Sequence, residues 1–464
     1  MTSSTLKRTY KPSWIFAMAF GAAVGWGAFI LPFDWIKSAG WAGTAIGFIV
    51  GGFLMSIIGF NYGIAVRAMP VTGGGVAFAM SALGRTHAFV AGSALMLGYT
   101  SIVALNASAA TLILRATAPQ YSMTFPLYEV AGWTVYLPEV LFSSLLILTF
   151  AYLNAKGAGL SGRFQLFSVY ALIISVIIIS ISSGLYFQDQ HPILLAPFGE
   201  SQSPLDAVTV IVAFAPWAYV GFDSIPQLAG EFDFQASRVL RLIFLSIGAA
   251  TAVYILMTFS TAVSVGIDYQ LFETEAWPPA VAISSQMGNS GLALMLIAVT
   301  AGVLTGLNGF YAASSRVLFT MSRSRLVPTR FNKVSNTDLI PSTAIYFVAG
   351  VCLITPWFGR AALSWIVDMS SAGISLAYFY TSFFVLKMGL RQHYESKTGK
   401  RWNGKYLISG FIGCTLSVGF LLLLLLPNTP ASLGKESYTA LLVWTGIAIS
   451  FFVFYTRNAL PSED

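Results

Sequence analysis

The stretch GAAVGWGAFILP, residues 21–32, decides how this chain folds. Gly21, Gly25, Gly27 and Pro32 stand inside an apolar run, residues 13–36, long enough to cross a ~30 Å hydrocarbon core at about 1.5 Å per residue. Glycine weakens a helix and proline removes a backbone donor, so the run reads as a helix interrupted near mid-membrane. The same oddity returns in FAPWAYVGFDSIPQLAGE, residues 214–231, where Pro216, Gly221, Pro226 and Gly230 interrupt a second apolar run. Gly and Pro are ordinary in membrane helices, so one such span carries little. Two at corresponding places point to breaks with a purpose.

The composition around these runs is that of a membrane protein. Of 464 residues, 56% are hydrophobic and 9% charged, against about 25% charged in soluble domains. Apolar runs place twelve spans near residues 13–36, 41–67, 88–114, 138–153, 164–186, 206–229, 240–266, 291–321, 342–358, 361–388, 406–426 and 438–455. The even count puts both termini on one side. With the N-terminus inside, all but four of the 25 Lys and Arg residues fall on inner segments, the exceptions being Lys37, Arg115, Arg360 and Lys435. That split is what the positive-inside rule asks for. The net charge of +7 therefore reports topology, not a nucleic-acid surface, since the basic residues sit in short loops and form no stripe. The expectation is a multi-pass protein of the plasma (bacterial inner) membrane with both termini cytoplasmic. It has an N-terminal segment 1–12, a core of ten helices over 13–390, a loop 391–405, two further helices over 406–456 and a tail 457–464.

Enzyme chemistry finds no support. Cys352 and Cys414 lie in apolar runs and His87, His191 and His393 in or beside loops, too few and too scattered for a disulfide framework, a zinc site or a nucleophilic triad. No G-x-x-x-x-G-K-[ST] loop occurs, so no nucleotide drives the protein, and neither cofactor nor metal is expected. Met1 to Pro12 precede an apolar run without a small-residue cleavage pattern, so the first span is expected to stay.

Breaking a helix in the bilayer leaves N–H and C=O groups unpaired, which is tolerated where protein, water or ligand replaces the bonds. The half-helix starting near Gly27 would offer N–H groups and a positive dipole end to a carboxylate, and unwound carbonyls in the sixth span would suit an ammonium or a cation. A zwitterionic amino acid matches both. A step of five spans makes the two broken helices enter the membrane in opposite directions, as a five-plus-five inverted repeat requires.

These residues resemble the amino acid, polyamine and organocation transporter superfamily. The first span resembles its G-S-G-I-F-type break, here Gly25, Trp26, Gly27, Ala28 and Phe29, then Pro32; the sixth is similar to its aromatic-x-x-x-G-x-E pattern, here Trp217, Gly221, Phe222, Asp223 and later Glu231. MPVTGGGVAFAMSALG (69–84) is similar to the loop after the second span, YLNAKGAGLSGRFQ (152–165) to the loop before the fifth, and SSRVLFTMSRSRLVP (314–328) to the close of the eighth. Trp26 replaces a usual Ser, Ile64 an acidic residue, and DFQAS (233–237) an N-P segment. The resemblance implies an all-α membrane protein of twelve helices with a leucine-transporter-like inverted repeat and discontinuous helices 1 and 6. It implies a secondary transporter moving an amino acid by alternating access, coupled to an ion gradient or to exchange.

The expected binding residues are Val24, Gly25, Trp26, Gly27, Ala28, Trp217, Tyr219, Gly221, Phe222 and Asp223, with Asp223, Glu231 and Thr305 in gating or coupling. Trp217 would stack on the substrate, or else simply pack. Asp223, an acid near the bilayer centre, would pair with an amine, carry a proton, or cap its own half-helix. Glu231, with Asp233 facing Arg238 and Arg241, belongs to an inner gate or a surface pair. Thr300 and Thr305 would hold a sodium ion against first-span carbonyls, although Thr is common in such helices. Asp34 and Asp368 would line an outer vestibule or cap solvated helix ends. The partners expected are a small amino acid or amine, a coupling proton or sodium ion, and the bilayer, with no nucleic acid; a homodimer is compatible with the chain. The alternative is a carrier of an amine lacking a carboxylate, a polyamine or amino alcohol. A channel or a non-transporting nutrient sensor ranks below both.

Overall fold

The computed structural model describes residues 6–456 except 191–195, 202, 267–268, 274, 276, 336–338, 360, 397–403 and 430–431. The tail 457–464, His191, Arg360 and the basic residues Lys397, Lys400, Arg401 and Arg457 thus lie outside the described residues, as do residues 1–5 of the N-terminal segment.

The chain is built from helices: α1 (Pro12–Val24), α2 (Gly27–Ile30), α3 (Pro32–Ala68), α4 (Gly74–Leu83), α5 (Arg85–Thr117) and α6 (Pro119–Ser122). A hairpin of β1 (Pro126–Val130) and β2 (Trp133–Tyr136) follows, then α7 (Leu137–Ala155), α8 (Ala158–Gln190), α9 (Pro204–Ala213), α10 (Ala215–Ala218) and α11 (Val239–Val265). The remainder is α12 (Pro278–Met287), α13 (Asn289–Arg323), α14 (Ser342–Cys352), α15 (Ala361–Ser396), α16 (Gly404–Leu425) and α17 (Lys435–Phe451). Among the described residues nine helices are long and apolar enough to cross a membrane. Lipid cannot serve backbone groups, so sequences this apolar must close their own hydrogen bonds as helices.

The expected first, sixth and ninth spans are the ones that do not form single long helices. The first is α1, an interruption at Gly25–Trp26, and α2, after which the chain continues through Leu31 into α3. α3 joins two spans: at Gly40 the backbone leaves helical angles (φ 66°, ψ 171°), and the Pro197 carbonyl lies 2.3 Å from where a Cβ would stand. Only glycine allows both that φ and that approach. The sixth is α9, α10 and 3-10 turns over Phe222–Gln227 and Ala229–Glu231, and the ninth passes from α14 into a 3-10 turn at Thr355–Phe358.

Two local expectations are corrected. Residues 69–84 are not all loop: after a left-handed Gly73 they form α4, and Thr72 pairs with Leu228 across an isolated bridge. The chain is not wholly α, because β1 and β2 pair antiparallel between α6 and α7. There Arg115 at the end of α5 donates to both Glu139 oxygens, at 2.6 and 2.7 Å, with its guanidinium 3.9 Å from the Trp133 ring centre. A planar cation held by a carboxylate and a ring fixes the hairpin to two helices.

What places the site is a glycine stripe on α3. Gly43, Gly47 and Gly51, one turn apart, leave room for Ala207, Ile211 and Ala215, which lie 2.9, 2.5 and 3.0 Å from where their Cβ atoms would be. With apolar side chains and lipid equally oily, close backbone approach is what favours one helix partner over another. The sixth span is thereby seated on the second, with its interrupted end turned onto α1.

Candidate functional site

The first break is a short one. α1 stops at Val24, and Gly25 takes φ 50°, ψ −148° while its N–H still reaches the Gly21 carbonyl at 3.0 Å. The N–H groups of Trp26, Gly27 and Ala28 find no backbone acceptor among the described residues. On the carbonyl side one bond comes from another helix and one contact is close packing. The Tyr254 hydroxyl on α11 lies 2.7 Å from Ala23 O, and Gly302 on α13 packs so tightly on Gly25 O that a Cβ there would sit 2.0 Å from it.

The second break never returns to an α-helix before α11. Gly221 adopts φ 141°, and a Cβ on it would meet Ala19 O at 2.6 Å and Ala23 N at 2.8 Å, so this turn rests directly on α1. Its own side chains then satisfy it. Asp223 Oδ1 accepts from the Gly221 N–H at 2.7 Å, the Ser224 hydroxyl donates to Gly221 O at 2.5 Å, and Gln227 Nε2 donates to Asp223 O at 3.1 Å. Asp223 Oδ2 accepts from the Tyr99 hydroxyl of α5 at 2.8 Å. The two breaks also share one donor, because Tyr254 OH lies 2.7 Å from Ala218 O as well.

Between the breaks is a cavity of about 20 Å³, bordered by Val24, Gly25, Trp26, Gly27, Asn106 and Trp217 together with small and aliphatic neighbours. That is room for about one water. It is capped by an edge contact of Trp26 and Trp217, ring centres 5.8 Å apart, and Trp217 Cη2 fills the space where a Cβ on Gly27 would be, at 2.6 Å. Of the expected binding residues, Val24, Gly25, Trp26, Gly27 and Trp217 border this cavity. Ala28, Tyr219, Gly221, Phe222 and Asp223 do not. The Tyr219 hydroxyl donates to Phe48 O at 2.6 Å, and Phe222 stacks on Tyr378 with ring centres 5.6 Å apart.

Thr305 lies against α1 one turn before the first break, its hydroxyl 3.1 Å from Gly21 O and 2.9 Å from Gly302 O. Gln165 on α8 joins it, donating to Ala17 O and Thr305 O at 3.1 and 3.2 Å, and Asn308 donates to Gln165 Oε1 at 2.8 Å. Thr300 is exposed and away from this network. Asp34 is exposed, and Asp368 accepts from the Ser437 hydroxyl at 2.6 Å, tying α15 to α17. Among the described residues no cluster of His, Cys, Asp or Glu is fit to hold a metal.

Glu231 pairs with neither Arg238 nor Arg241. Its carboxylate receives two bonds from Arg316, at 2.9 and 2.8 Å, and both side chains are buried. The N-terminal segment lies over them, with the Thr9 and Tyr10 N–H groups donating to Glu231 O at 2.9 and 3.1 Å. Burial pushes the Tyr10 phenol up to about 12, against the pull of Arg316. Arg316, Tyr254 and Asn106 were missed as site residues from sequence. A lone Arg and a lone Asn in apolar runs were signals to follow; one Tyr among 20 was not.

A family model described as "Amino acid permease" matches residues 13–452. The chain is 23% identical over 470 residues to the branched-chain amino acid permease BcaP of Bacillus subtilis (98% of this chain, 94% of that protein). It is 23% identical over 478 residues to the lysine-specific permease LysP of Escherichia coli (96% and 90%). It is 22% identical over 408 residues to a methylthioribose transporter of B. subtilis (86% and 85%).

Proposed function

The chain belongs to the amino acid permease family, within the amino acid, polyamine and organocation superfamily, and from that premise we infer that it is a secondary active transporter moving an amino acid by alternating access. It is a multi-pass membrane transporter and not an enzyme. The proposed architecture is twelve spans, the nine long helices and the three interrupted ones, arranged as a five-plus-five inverted repeat over residues 13–390 with two further helices over 406–456. The membrane is the plasma membrane, and both termini face the cytoplasm.

The meeting of the two breaks carries this reading. Gly221 presses on the α1 backbone, and Tyr254 reaches a carbonyl in each break. Substrate would lie between them, its carboxylate toward the Trp26–Ala28 N–H groups, with Trp217 swinging off Gly27 to admit it. The Glu231–Arg316 pair and the N-terminal segment over it form the inner gate. Thr305 and Asp223 are the coupling candidates for sodium and for a proton. Contacts that differ between the two open states would drive the cycle.

The amine-carrier alternative centres on Asp223. Both its oxygens already accept bonds and it does not border the cavity, which favours the amino acid reading. Uptake of labelled amino acids and their decarboxylated amines into proteoliposomes tests it. Saturable, trans-stimulated uptake of amino acids is expected; uptake of the amines alone would overturn the reading.

A further inference from the structure

We propose that Asn106 is the side chain that reads the substrate's ammonium group, and that the cavity at the breaks takes α-amino acids with uncharged, apolar side chains in preference to cationic or anionic ones. This rests on the amino acid reading above. Asn106 is 2% exposed, and its Oδ1 has no hydrogen-bond partner among the described residues. Buried polar atoms in folded proteins are nearly always paired, so an orphan bordering a binding cavity marks a place for a ligand group. The amide's orientation follows from its neighbours. Nδ2 donates to Ile102 O, one turn earlier, at 2.8 Å, which leaves the acceptor atom over. Gly306 of α13 packs against the amide group itself, since a Cβ there would lie 2.6 Å from Oδ1 and 2.7 Å from Nδ2, and the side chain is held in place.

An acceptor suits an ammonium and rejects a carboxylate. The rest of the lining is apolar: Ile102, Leu105, Val220 and the two indoles, whose N–H groups are the remaining side-chain polar atoms, and no lining residue carries a charge. A Lys or Glu side chain on the substrate would enter this depth with no counter-charge, because Asp223 is committed to Gly221 and Tyr99.

The full chain in proteoliposomes is tested with leucine, lysine, glutamate and N,N,N-trimethyl-leucine, which keeps the charge but has no N–H to donate. Leucine is expected to be taken up with kcat/KM at least about tenfold above lysine and glutamate, and trimethyl-leucine to compete at least about tenfold more weakly than leucine. Asn106→Leu should raise the KM for leucine by about tenfold or more at an unchanged melting temperature, while Asn106→Asp, which keeps an acceptor, stays within about threefold of the native value. Unchanged KM in N106L, equal competition by trimethyl-leucine, or a preference for lysine or glutamate would overturn the proposal. The trimethyl-leucine arm uses the native chain and decides whether the ammonium N–H groups are read at all. Where N106L does not fold, Asn106→Ser, which is smaller and keeps an acceptor, and Asn106→Ala, which does not, carry the assignment to Asn106: a KM for leucine equal in the two would overturn it. A native chain that takes up no amino acid fails the transport reading itself; one that takes up amino acids without regard to N-methylation or side-chain charge fails this proposal alone.

Discussion

The two breaks solve one problem in opposite ways. The first, at Gly25–Trp26, borrows its one side-chain donor, Tyr254 from α11, which reaches Ala23 O; it is packed closely by Gly302 of α13, and it leaves the N–H groups of Trp26, Gly27 and Ala28 without backbone acceptors among the described residues. The second, from Gly221 to Glu231, brings its own, since Asp223, Ser224 and Gln227 bond the turn they belong to and Glu231 anchors its inner end on Arg316. Backbone whose bonds come from its own side chains keeps them when it moves. Backbone with open donors has capacity for a ligand. The first break is thus the better place for recognition, and the second is suited to moving as a unit.

Removing the anchor of the second break should have the largest effect. Arg316→Gln leaves Glu231 buried without its cation, a loss of about 3–5 kcal/mol, read as a large fall in melting temperature and in folded yield. Gly221→Ala is next. Its methyl meets Ala19 O and Ala23 N in a backbone region that L-residues avoid, at a cost of about 2–4 kcal/mol, and uptake should fall with stability. A Gly221→Ala protein as stable as the native one would break the comparison, because the second turn would then not rest on α1.

Tyr254→Phe removes the donor the two breaks share. Unpaired Ala23 and Ala218 carbonyls should cost about 1–3 kcal/mol, seen in thermal melts, and a water taking over the bond would show as no change. Asp223→Asn is expected to be the mildest for stability, within about 1 kcal/mol, since an amide oxygen can still accept from Gly221 and the Tyr99 hydroxyl can turn to accept from the new NH₂. Its effect should appear in uptake driven by a proton gradient. A stability loss as large as that of Arg316→Gln would make Asp223 a structural anchor.

Much of this was legible from residue types. Gly25 and Gly221 stood out as breakers inside apolar runs, and their backbone angles show why glycine is there; most apolar runs coincide with a long helix, with ends up to about nine residues away. Glu231 was singled out for an inner gate or a surface pair, yet the basic residues considered, Arg238 and Arg241 facing Asp233, were those nearby in sequence. The ion pair instead joins residues 85 positions apart, which no local spacing foretells. Asp223 was recognised as an unusual acid, but one of its oxygens turns back onto its own loop at Gly221 and the other accepts from Tyr99 of α5. The hairpin escaped because β1 and β2 are short and lie between apolar runs that dominate the pattern.

By itself the sequence determined that this chain lives in a membrane, which of its runs are apolar enough to form long helices, and that the first and sixth runs are interrupted; the interruption of the ninth, after α14, it did not announce. Those properties follow from local chemistry: lipid excludes charge and unpaired backbone, and only certain residues permit a break. The tertiary structure alone decided which side chains close the breaks, that Tyr254 spans both, that Arg316 meets Glu231, and that Asn106 is left with an open acceptor. These are matters of which helix faces which, set by close approaches such as the α3 glycine stripe against α9 and α10.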